Sequence, residues 1–163
     1  MADRAEVSAA AMSTLTGILA ATQSDTVTRL VASYAKLANR SKMKKKKANQ
    51  SAEKVVNGSD KTPVDEKEKQ RARNQQTAVF FLCAAILAQP YDTPTYVPLA
   101  LASISKHSYK STAPRGVREI VKKCCGEYKR THMSDNWEIH RKVFTQEQLE
   151  ALEDVVSTPH YFA

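Results

Sequence analysis

A chain of 163 residues with 42% hydrophobic content can fill one modest core, and its 4 Gly and 6 Pro lean the composition towards helix. The formal charge of +8 is confined: residues 40–73 hold 12 Lys and Arg against 5 Asp and Glu, which leaves the rest near neutral and argues against a folded nucleic-acid-binding face. The opening "MADRAEVSAAAMSTLTGILAAT" carries acids and threonines where a secretory signal needs an apolar run, and it is not the arginine-rich, acid-poor segment of a mitochondrial presequence.

In chain order, a first helix is predicted from about Asp3, an N-cap with Glu6 three residues on, to about Ala21, with Val7, Ala11, Leu15, Ile18 and Leu19 as its stripe. After the break "TQSD", Val27, Leu30, Val31, Tyr34, Leu37 and Ala38 recur at three- and four-residue steps, predicting a second amphipathic helix that ends near Arg40. So short a connection makes the two antiparallel, and residues 1–40 read as one HEAT-like helix pair. Residues 41–73 have few apolar side chains, no helical period and the turn formers Asn57-Gly58 and Pro63, so they read as a disordered lysine-rich linker. Within it Lys42, Lys44, Lys45, Lys46 and Lys47 form the kind of run that serves as a nuclear-import signal. A nucleic-acid or chromatin-binding helical module using the same lysines is the alternative; it predicts steeply salt-dependent binding, whereas import does not.

The run "AVFFLCAAILA", residues 78–88, is apolar on every face and is stopped by Pro90. It falls well short of the roughly 20 residues a membrane span needs and predicts an inner helix covered on several sides. In "YDTPTYVPLALASISKHS", Thr95 is a candidate cap and Pro98 sits in the first turn of a helix running to about Lys106. Beyond Pro114, Val117, Ile120, Val121, Cys124 and Tyr128 share one helix face, with Arg115, Arg118, Lys122 and Lys129 opposite. Such a basic face is ordinarily solvated surface; as a site, Lys122, Lys123, Lys129 and Arg130 are candidates for an acidic ligand. "DNWEIHRKVF" predicts a turn of helix in which Trp137 packs, and Thr145 with Gln148 is a capping box opening a last helix with Leu149, Leu152 and Val156 inward. Residues 74–156 thus form a C-terminal HEAT-like helical domain.

Together these elements predict an all-α fold of stacked antiparallel helix pairs, a HEAT-like, ARM-type superhelix forming the C-terminal end of an α-solenoid. Cys83, Cys124 and Cys125 lack C-x-x-C spacing, and His107, His132, His140 and His160 lack a zinc-ligand pattern, so the expectation is core thiols in a reducing compartment, no metal and no cofactor. The absence of a nucleophile elbow, P-loop or dinucleotide fingerprint predicts that the chain is not an enzyme. His132, His140 and Asp135 are acid-base candidates by residue type, but polar residues fixing a turn around Trp137 are the plainer reading. The chain closes on "STPHYFA", residues 157–163. Thr158 precedes Pro159 and is biased towards extended backbone, predicting a projecting tail whose Tyr161, Phe162 and terminal Ala163 carboxylate suit capture in a partner's pocket. The ordinary fate of an aromatic terminus is to fold back or fray.

The closing run resembles the end of the large single-chain HEAT-repeat proteasome activators, in Arg130, Thr131, His132, Asp135, Trp137, His140, Phe144, Thr145, Gln148, Leu149, Pro159, Tyr161 and Ala163. The stretch "AVFFLCAAILAQPYDTPTYVPLALASISKH" is similar to the family's preceding helix, turn and next helix. One extra residue falls between His132 and Asp135, and Phe162 stands where the family pattern has tyrosine. The resemblance implies a non-catalytic activator whose tail, Tyr161, Phe162 and Ala163, enters a pocket of the proteasome core particle's α-subunit ring and promotes ATP-independent gate opening, without membrane or direct nucleic-acid partners. It also implies acetylated histones or inositol phosphates as further partners, placement in nucleus and cytoplasm, and roles in ubiquitin-independent degradation and DNA repair. The missing phenol hydroxyl at Phe162 is expected to weaken docking by about 0.5 to 1.5 kcal/mol.

Overall fold

The apolar run at 78–88 lies inside the helix around which everything else is arranged. In the computed structural model, which describes residues 4–40, 63–109, 111, 113–134 and 136–156, the helices are α1 (Arg4–Ala20), α2 (Ser24–Ala38), α3 (Pro63–Leu87), α4 (Val97–Ser105), α5 (Arg115–Met133), α6 (Trp137–His140) and α7 (Gln146–Val156). A 3-10 turn, Arg141–Val143, joins the last two. α3 touches α1, α2, α4 and α5, so Ala78, Val79, Leu82, Cys83, Ala84 and Ala85 are sealed from solvent on every side. This all-round burial is the reason the run has no polar face.

The contacts sort the helices into two rows. α1, α3 and α5 form one, α2, α4 and α7 the other, and α2–α3, α3–α4 and α5–α7 pack across. Tyr34 stacks on Phe81 with ring centroids 4.0 Å apart, and Gln75 Nε2 donates to the Ala38 carbonyl at 2.8 Å, so α2 and α3 run in opposite directions. Paired helices in two rows are the all-α, HEAT-like end of a solenoid that the periodicity predicts.

Three expectations are corrected. Residues 63–73, assigned to a disordered linker, are the first turns of α3. An apolar period is not needed there: the packed half of α3 supplies the nucleus, and each added residue then gains a backbone hydrogen bond at little cost. Glu66 pairs with Lys69 at 3.8 Å and Gln70 Nε2 donates to Asn74 Oδ1 at 2.8 Å along this exposed extension, while Pro63 occupies a helix start, where its missing N–H costs nothing. The remainder of the expected linker, 41–62, lies outside the described residues. The stripe expected on α1 is also rotated: Leu19 is buried and Met12 and Leu15 are half-buried, whereas Val7, Ala11 and Ile18 are exposed. Alanines all round this helix leave no apolar period strong enough to choose a face. On α4 the cap position falls to Tyr96, not Thr95, with Pro98 in the first turn as expected.

Where α2 ends, its last carbonyls need donors from outside the helix. The Ala38 carbonyl receives Gln75 Nε2 and, at 3.1 Å, the buried His107 Nε2; Asn39 bonds Ser103 Oγ at 3.2 Å and accepts from Lys106 Nζ at 3.2 Å. Burial pushes the His107 pKa below its ordinary value of 6.5, partly offset by the bond to Ala38. A base depressed in the folded state contributes stability that is whole above the unfolded value and is lost as pH falls through the folded one. Urea unfolding between pH 7.5 and 5 is therefore expected to show falling stability, with a smaller fall in His107→Gln, which keeps a donor but cannot titrate. Equal slopes would contradict this assignment.

Candidate functional site

The residues that carry the sequence pattern of the last third converge where the α3–α4 turn meets α5 and α6. Asp92 accepts the Thr93 amide at 2.8 Å on Oδ1, a local turn that aims the Thr93 hydroxyl inward. That hydroxyl lies 2.9 Å from the Tyr128 hydroxyl and 2.9 Å from His140 Nδ1. It has one proton for two neighbours, so at least one of them donates to it. His132, sealed in the core, places Nδ1 3.0 Å from the Tyr128 carbonyl and Nε2 3.1 Å from the Asp92 carbonyl. Its ring stacks on Tyr128 at 4.0 Å and meets His140 edge-on at 4.8 Å.

Immediately beyond, the apolar part of the joint takes over. Phe144 is buried against Tyr128 and the half-buried Trp137, with centroids at 6.3 and 6.1 Å. The capping box then forms as the spacing predicts: the Thr145 amide donates to Gln148 Oε1 at 2.9 Å and the Gln148 amide to Thr145 Oγ1 at 3.4 Å. α7 buries Leu152 and Val155, with Leu149 and Val156 partly covered, against α4 and α5.

Chemically this end is built for rigidity. His132 meets the turn through Nε2 on the Asp92 carbonyl, its Nδ1 facing the Tyr128 carbonyl and the Thr131 hydroxyl of its own helix, and His140 Nδ1 meets Thr93; Asp135 lies outside the described residues. Burial pushes the Tyr128 phenol up to about 12, so it stays protonated at neutral pH. All three cysteines are buried; hydrogen bonding to Cys83 with burial raises the Cys124 thiol, and burial raises Cys125, which keeps both from acting as thiolates. Among the described residues no group of His, Cys, Asp or Glu could hold a metal ion, and no helix is long and apolar enough to cross a membrane.

Of the expected site residues, Tyr161, Phe162 and Ala163, with Lys42, Lys44, Lys45, Lys46 and Lys47, lie outside the described residues. The four basic residues of α5 do not converge: Lys122 and Lys129 fall seven residues apart along one line of the helix, Lys123 and Arg130 along another about 100° around it. Arg130 bridges Glu127 at 2.6 Å, and Lys123 borders an open cleft of about 1050 Å³ between α1, α3 and α5, floored by Met12, Phe80 and Ile120. Thr93 is the residue of this joint that sequence reasoning missed. Its one signal was its place between an aspartate and a proline, a turn that aims a hydroxyl.

The profile described as "Proteasome activator complex subunit 4-like, C-terminal" matches residues 72–163, more than half the chain. Proteasome activator complex subunit 4 of Xenopus laevis is 38% identical over 89 residues, and that of Homo sapiens 37% over 89; each alignment takes in 55% of this chain and 5% of the relative. Proteasome activator subunit 4 of Arabidopsis thaliana is 36% identical over 86 residues, 53% of this chain and 4% of the relative. The chain thus matches only about one-twentieth of these relatives' length. From Thr93 to Phe144 the joint lies wholly inside the matched segment, and the chain belongs to the proteasome activator complex subunit 4-like family, matched over that family's C-terminal region.

Proposed function

We propose that this chain is a non-catalytic proteasome activator element, which docks on the core particle through its C-terminal carboxylate and promotes ATP-independent opening of the gate. The observation that carries the reading is the extent of the family match, which runs to Ala163 and so takes in the whole tail. A capped and core-anchored α7 gives that tail a fixed base. Tyr161 and Phe162 supply apolar burial and Ala163 the charge, for an α-subunit pocket that offers a lysine or backbone N–H groups.

Magnitudes set how the tail works. Two buried aromatics contribute about 3 to 5 kcal/mol and a charge-assisted carboxylate contact about 2, before association costs. The net is a weak contact, roughly millimolar to tens of micromolar, so other surface must seat the activator and present the tail at high effective concentration. Lys42 and Lys44 to Lys47 serve nuclear import in this reading, placing the protein in nucleus and cytoplasm. Acetylated histones and inositol phosphates are proposed further partners on family grounds alone, with no residues assigned to them.

The test is deletion of Tyr161 to Ala163 in the full chain, read by core-particle peptide hydrolysis. Stimulation is expected to vanish while helix content by circular dichroism stays the same; undiminished stimulation contradicts the tail mechanism.

A further inference from the structure

The row formed by α1, α3 and α5 does not close. Its open cleft of about 1050 Å³ follows α5 from Gly116 to His132, about 24 Å at 1.5 Å per residue, over a half-buried floor of Met12, Phe80 and Ile120. That is roughly the length of four helical turns. The walls supplied by α1 and α3 are uncharged, with Ser13, Thr16 and Gln76 as their polar side chains, so all fixed charge on the cleft comes from α5. Along that edge Glu119 is bridged by Arg115 at 2.7 Å and Glu127 by Arg130 at 2.6 Å. Lys123, between them, has no ion pair among the described residues. Its charge is the uncompensated one, and Lys122 and Lys129 behind it carry the same sign. The edge therefore calls for an acidic guest and the floor for an apolar one.

We propose that this cleft is the docking groove for a partner protein's amphipathic helix, with the apolar stripe of that helix on Met12, Phe80 and Ile120 and its acidic flank against Lys123. No strand is present among the described residues, so an extended guest finds no sheet edge to pair with. A guest lying on so apolar a floor must satisfy its own backbone N–H and C=O groups, which a helix does. Lys123 and Arg130 stand seven residues apart along one line of α5. Such a separation suits acids two turns apart on a helix lying alongside, and no compact anion spans it. The groove involves no residue of the tail, so this inference stands or falls separately from the docking reading above.

The test titrates labelled peptides of about 16 residues into the full chain and reads fluorescence anisotropy. One peptide carries leucines at i, i+3, i+4 and i+7 with glutamates flanking the stripe, a second has lysines for those glutamates, and a third has the composition of the first in an order without helical period. The first is expected to bind at micromolar concentrations, the second more weakly and the third not at all. Lys123→Glu alters an exposed side chain and leaves the fold intact; it should weaken the first peptide about two- to tenfold and strengthen the second. Ile120→Ala should weaken both, with helix content by circular dichroism unchanged. The groove is overturned if the aperiodic peptide binds as well as the first, or if Lys123→Glu shifts the two charged peptides in the same direction. It is overturned too if binding appears only after residues 157–163 are deleted, which gives the cleft to this chain's own tail. A dimer in light scattering that the first peptide dissociates gives it to a second copy, with the same consequence.

Discussion

Truncating Leu82 to alanine is expected to cost about 3 to 5 kcal/mol of unfolding free energy. Leu82 is fully buried on α3, which packs on four other helices, so no single neighbour can shift to fill the void. A domain of this size has on the order of 5 to 15 kcal/mol in all, so the variant should sit at the edge of unfolding. Leu30→Ala, at a site 37% exposed on α2, is the control and should lose about 1 kcal/mol or less. Urea unfolding followed by circular dichroism separates the two. If both variants lose similar amounts, α3 is not the element that holds the rows together.

His132→Ala is expected to cost about 2 to 4 kcal/mol, although histidine is a residue more often associated with chemistry than with cores. Its loss leaves the Asp92 carbonyl without the Nε2 partner and opens a void beneath the Tyr128 ring. Tyr128→Phe, which removes only the hydroxyl shared with Thr93, should cost about 0.5 to 1.5 kcal/mol. An acid-base role for His132 predicts the opposite pattern, with stability intact and function lost. Thermal unfolding of both variants decides between the two.

The fold was legible wherever a helix had a one-sided environment. Val27, Val31 and Ala38 on α2, and Val117, Val121, Cys124 and Tyr128 on α5, are buried as their spacing predicts, because each helix turns one face to a core and the other to water; Leu30, expected in the α2 stripe, is exposed, and Ala35 is buried in its stead. α1 was not legible in this way: it carries alanines on all sides and rests on the body through Met12, Leu15 and Leu19, so its pattern contains no choice of face. The start of α3 was missed for a different reason. Residues 63–73 are helical by extension from a packed neighbour, which leaves charge pairs but no apolar period to read.

The site divides along similar lines. The capping box at Thr145 and Gln148 is local in sequence, and so could be read before any tertiary contact was known. The joint is not local: Thr93 meets Tyr128 across 35 positions and His140 across 47, and no periodicity encodes a partner so distant. The histidines were conspicuous by type, yet both hold the turn in place. Hydrogen-bond geometry, which residue type alone does not supply, is what reveals those contacts.

The most direct measurement of tail docking adds a single glycine after Ala163. The extension keeps Tyr161, Phe162 and every helix, and moves only the negative charge, by about 3.5 Å. If a pocket reads the carboxylate at its present place, stimulation of core-particle peptide hydrolysis should fall to the level of the form lacking Tyr161 to Ala163. Full stimulation by the extended chain would contradict the account.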